Sequence, residues 1–161
     1  MRVKKISLFA SMVVVVFLAG CGGISDPTQL ADATLYVNFP DGTAFTSSSV
    51  HVTDDGAKYT VFATDDQRGE HYQDEITLVI PKGANIPYSV GSLSDPTVQV
   101  TYYEYTTGNN YAGNMAEGSC NITVNEITTT NVIGAFTART VCRTVTDSVR
   151  TFNGGEFNAT F

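Results

Sequence analysis

The sequence predicts an all-β protein: a single antiparallel β-sandwich or barrel-like domain over residues 34–161, following a leader that is removed. Three observations predict it. Beyond Cys21 the chain holds 22 threonines but only four leucines, and it is rich in valine, isoleucine, tyrosine and phenylalanine. Branched and flat side chains of this kind fit a pleated surface. No window carries apolar residues at i, i+3, i+4 and i+7, the mark of a helix face. Short segments instead alternate apolar with polar residues between clusters of Gly, Asn, Asp and Pro.

The segments follow in order. Leu35, Val37 and Phe39 share one face of the first. Val50 and Val52 precede Asp54-Asp55-Gly56, a hairpin turn in which Asp and Gly tolerate unusual backbone angles, and Tyr59, Val61 and Ala63 return from it. Ile76, Leu78 and Ile80 alternate before Pro81-Lys82-Gly83. Val98, Val100 and Tyr102 follow Asp95-Pro96, and residues 108–114, Gly-Asn-Asn-Tyr-Ala-Gly-Asn, read as a loop. Cys120, Ile122 and Val124 form the next inward set, then Val132, Phe136, Ala138 and Cys142. Phe157, Ala159 and Phe161 close the chain. A period of two points each set at a common core.

The first 20 residues have a different character. Arg2, Lys4 and Lys5 precede an apolar run at residues 6–18, shorter than the roughly 20 residues a membrane-spanning helix needs. A basic start, a short apolar segment and small residues before a cut describe a secretory signal peptide. Leu18-Ala19-Gly20-Cys21 resembles a bacterial lipobox, which implies cleavage before Cys21 and acylation of its thiol. Each buried methylene contributes about 0.8 kcal/mol, so two or three chains hold a domain on a membrane. In lipoproteins of Gram-negative bacteria an Asp after that cysteine resembles an inner-membrane retention signal. Here the residue is Gly22, and the expected location is the outer membrane. Residues 22–33 are small and polar and read as a tether.

The stretch from Cys21 onward has six basic and 16 acidic residues, a balance of −10. Such a charge argues against nucleic acid as a partner. Cys120 and Cys142 would sit in an oxidising compartment, where an even pair is expected to close a disulfide. The enclosed loop is about 20 residues, and closing it contributes roughly 3 kcal/mol in the chain-entropy model.

No constellation for catalysis, metal binding or a cofactor stands out, and the expectation is that the chain is not an enzyme. His51 and His71 lack zinc-site spacing, and strand alternation turns His51 outward. Asp65, Asp66, Glu70, Asp74 and Glu75 read as a solvated acidic loop, with a calcium site as the alternative. The alternation that buries Tyr102 exposes Tyr103 and Tyr105, and Tyr111 falls in the adjoining loop. These three rings could stack on a sugar; the plainer reading is cross-strand packing. Asp147-Ser148-Val149 matches a short envelope O-glycosylation signal at Ser148.

Gly118-Ser119-Cys120-Asn121-Ile122-Thr123-Val124, Ile133-Gly134-Ala135-Phe136-Thr137-Ala138 and Gly155-Glu156-Phe157-Asn158 together resemble a group of small uncharacterised Gram-negative lipoproteins. The resemblance implies a lipid anchor, one β-rich domain and a final Gly-x-Phe hairpin, and it supplies no activity. The expected function is an envelope lipoprotein with a structural or protein-interaction role. The alternative is a glycan-binding module of an outer-membrane polysaccharide-capture system. A hydrolase or protease inhibitor is a third possibility.

Overall fold

The computed structural model describes residues 33–65 and 73–161. Among them run eleven strands and no helix: β1 (Thr34–Asn38), β2 (Ala44–Ser47), β3 (Val50–Asp54), β4 (Lys58–Thr64), β5 (Glu75–Pro81), β6 (Tyr88–Gly91), β7 (Gln99–Glu104), β8 (Asn109–Gly113), β9 (Gly118–Ile127), β10 (Asn131–Cys142) and β11 (Val149–Thr160). The leader, Cys21 and the tether up to residue 32 lie outside the described residues.

Alternation drives these elements. In β5, Ile76, Leu78 and Ile80 are fully buried while Glu75, Thr77 and Val79 face outward. The β3–β4 turn closes as the sequence predicts. Gly56 takes φ +92°, and its N–H donates to Asp54 Oδ1 at 2.7 Å. The Ala57 and Lys58 amides both donate to Asp55 Oδ1.

Six strands pair in the order β2-β1-β11-β10-β9-β6. Five more pair as β3-β4-β5-β7-β8. Two corners stitch these layers into one eleven-stranded sheet. At one corner Thr160 pairs with His51, the single parallel contact among the described residues. At the other, Val141 pairs with Ala112 and Cys142 with Tyr111. The predicted all-β, mainly antiparallel architecture is present, and the corner pairs add the barrel-like closure. Both layers feed one core: Phe152 of β11 meets Tyr102 of β7 edge-on at 5.9 Å, and Phe39 lies 5.3 Å from Phe152 and 5.6 Å from Tyr102. The outer strands β2 and β6 are four residues each. Short edges offer little template for unwanted strand pairing.

Several expectations need correction. Residues 108–114 are not a loop. Their middle is β8, which finds ladder partners in both β7 and β10. Tertiary pairing overrides the poor strand propensity of Asn and Gly. Phe161 lies past the end of β11 and is half exposed rather than buried. A third concerns the cysteines and is described with the candidate site.

Candidate functional site

The tyrosines come first. Tyr103 sits half-buried on the outward face of β7, and Tyr105 is exposed just past its end. Their rings meet edge to face at 6.5 Å. Tyr111 is not with them. As a residue of β8 it points inward, is 2% exposed and lies 5.8 Å from the Tyr102 ring. Its hydroxyl is 3.2 Å from Ser148 Oγ, so the predicted modification residue is tied to the core from a half-buried position. The three rings therefore do not form one surface.

Cys120 and Cys142 both point at the core, as their alternation predicts, yet both are free thiols. Cys120 lies opposite Ala138 on the neighbouring strand, and Cys142 is four residues further along that strand. Four strand residues span about 13 Å. A disulfide needs Cα atoms within roughly 7 Å. Shared facing was legible; the offset along the strand was not.

The acidic segment is the next correction. Asp66, Glu70 and His71 lie outside the described residues. Asp65 and Asp74 are not solvated: they are 5% and 4% exposed. The Asp65 amide donates to the Asp74 carbonyl at 2.9 Å and extends the β4–β5 ladder. The Asp74 carboxylate accepts the Tyr102 hydroxyl at 2.7 Å and the Tyr105 amide at 2.9 Å. Burial, and then the bond to Asp74, push the Tyr102 phenol far above its ordinary range.

Asp65, Asp74 and Tyr102 line a cleft of about 470 Å³ with Asp41, Glu104 and Arg150. Arg150 is its cation. One guanidinium nitrogen lies 2.5 Å from Glu104 Oε1 and the other 3.6 Å from Asp41 Oδ2. The Thr43 hydroxyl and amide donate to Asp41 and hold its carboxyl below the usual range. The cleft's polar groups thus largely satisfy one another. Among the described residues no group of three or more His, Cys, Asp or Glu side chains is placed to hold a metal.

A different feature occupies the outward face of the six-stranded layer. Successive register partners carry one row across it: Thr46, Tyr36, Glu156, Ala135, Thr123 and Ser89. Thr137 and Asn121 pair in the next row. A depression of about 370 Å³ opens here, with Tyr36, Asn38, Asn121, Thr137, Gly154 and Glu156 among its walls and floor. A second, of about 560 Å³, shares Asn121 and Thr137 and continues past Arg139 to Leu93. The Tyr36 hydroxyl donates to Asn38 Oδ1 at 2.5 Å, and Ser89 and Thr123 share a hydroxyl–hydroxyl bond at 2.7 Å. Sequence reading missed this face. Alternation marks each residue as outward, but only strand order shows that they adjoin.

No family model, curated protein or solved structure matches the chain.

Proposed function

We propose that this chain is an exported lipoprotein, held at the outer membrane by acyl chains on Cys21, whose β domain has a structural or protein-interaction role and no catalytic activity. The observation that carries the proposal is Leu18-Ala19-Gly20-Cys21 directly after a basic leader and a short apolar run. Nothing but small residues surrounds the cleavage point, as signal processing requires. A non-catalytic role is supported by the way the polar groups of the cleft are spent on each other: Tyr102 on Asp74, Arg150 on Glu104. The net charge of the exported part speaks against a nucleic-acid partner.

Growth with labelled palmitate tests the anchor. Label is expected on the parent and absent from Cys21→Ser, which is expected to accumulate unprocessed. An unlabelled parent, or a Cys21→Ser variant processed and distributed like it, overturns the proposal.

A further inference from the structure

We infer that the outward face of the six-stranded layer is a groove that binds a neutral polysaccharide chain, with Tyr36 as its stacking platform and Gly154 as its floor. The inference goes beyond the anchored, non-catalytic role and does not depend on acylation. It also moves the expected sugar contacts away from Tyr103, Tyr105 and Tyr111.

The floor is the first argument. Ala135 carries only a methyl group, and a side chain added at Gly154 would meet nothing within 4 Å. A trough without side chains admits a flat ring close to the backbone. Tyr36 stands beside it, 45% exposed and held by the hydroxyl bond to Asn38. An oriented aromatic ring presents apolar area with little rotamer freedom left to lose, and its polar end still bonds.

The rim is the second. Asn38, Asn121, Thr123, Thr137 and Glu156 bring amide, hydroxyl and carboxylate groups around the trough. Amides and hydroxyls both donate and accept, and so do the hydroxyls of a sugar. A few convergent polar groups around a ring-sized surface is the composition of a ligand site.

Shape and charge select the ligand class. The two depressions share Asn121 and Thr137, so the groove is elongated and fits a chain rather than a single ring. Among the described residues, Glu156 and Arg139 are the charged residues along it, one of each sign. That balance disfavours a polyanion. An extended peptide would instead add to a sheet edge, and the edges here are β2 and β6.

Calorimetry tests the groove. The full chain, purified in a polyoxyethylene detergent that carries no sugar, is titrated with cellohexaose, laminarihexaose, maltohexaose and chitohexaose. At least one is expected to bind with a dissociation constant tighter than about 1 mM. Tyr36→Ala is expected to weaken it at least ~10-fold, equivalent to about 1.4 kcal/mol. Gly154→Leu, which fills open space, is expected to abolish binding with an unchanged melting temperature. Tyr105→Ala is expected to bind like the parent. Failure of all four hexasaccharides to bind overturns the inference, and so does binding that survives both Tyr36→Ala and Gly154→Leu.

Discussion

Gly134 on β10 lies directly opposite Phe157 on β11, and the phenyl ring covers the space a side chain at Gly134 would fill. Two residues on, the roles reverse: Phe136 lies opposite Gly155, and its ring covers that glycine. Neither glycine has a positive φ. Each is needed for close approach rather than for backbone freedom. An alanine methyl at Gly134 would also press on the Thr123 carbonyl, which belongs to a ladder and cannot swing away. Gly134→Ala and Gly155→Ala are each expected to destabilise the domain by about 1–3 kcal/mol, the usual range for overpacking. Gly154→Ala, one residue away, is expected to be neutral or slightly stabilising, by up to about 1 kcal/mol, because strand glycine is entropically costly. Urea titrations of the three variants separate these outcomes. Equal midpoints for Gly154→Ala and Gly155→Ala would sink the argument.

The bond from Tyr102 to Asp74 joins two side chains that are each 4% exposed. Tyr102→Phe removes the donor while leaving the buried carboxylate, with the Tyr105 amide still bound to it. Leaving a buried acceptor short of a partner costs about 1–3 kcal/mol. The raised phenol also sets a pH dependence. The folded state holds its proton where the unfolded chain, near pH 10, releases it. The contribution is therefore whole below pH 10 and falls as pH rises above it. Denaturation midpoints from pH 8 to 11 are expected to decline less in Tyr102→Phe than in the parent.

At the acid end four turn carboxylates act in the opposite sense. Asp54 is held below its ordinary value of 3.8 by Lys82, Asp55 by the Lys58 and Ala57 amides, Asp95 by the Thr97 hydroxyl and amide, and Asp41 by Thr43. Depressed carboxylates stabilise the fold above the unfolded pKa and lose that contribution as pH falls through the folded one. Stability is expected to be flat from about pH 5 up to the alkaline decline set by Tyr102 and to drop below about pH 4. Asp95→Asn is expected to shallow that drop, because it removes one group whose proton uptake differs between states. A drop of the same steepness in Asp95→Asn would remove Asp95 from the account.

Much of this fold was legible because its signal is local. Leu35 with Val37, Tyr59 with Val61 and Ala63, and Ile76 with Leu78 and Ile80 each declare their inward face by parity alone. β8 was not legible, since its Asn and Gly residues become strand only when β7 and β10 flank them. The same limit hid the groove. Tyr36 and Glu156 are 120 positions apart in sequence yet are direct cross-strand partners. Asp65 and Asp74 reversed the expectation for a different reason: charge density predicts solvation, but the Tyr102 hydroxyl gives Asp74 a partner inside.

Cys120 and Cys142 yield the last prediction. Because their strand positions keep them apart, both are expected to remain thiols even after export. Iodoacetamide added in denaturant without reductant is expected to give two adducts by mass, at Cys120 and Cys142; a closed bond would give none. The folded protein is expected to discriminate between them. Burial pushes the Cys120 thiol up, against the partial offset of Ser92. At Cys142 burial also pushes upward, but hydrogen bonds from Thr144 and the Val145 amide outweigh it and leave the thiol below its ordinary 9.0. The thiolate is the reacting species. Cys142 is therefore expected to alkylate first under native conditions, and its rate is expected to level off at lower pH than that of Cys120. Peptide mapping after timed labelling at pH 7 to 9 reads both rates, and equal rates across that range would show that the Thr144 contacts do not tune this thiol.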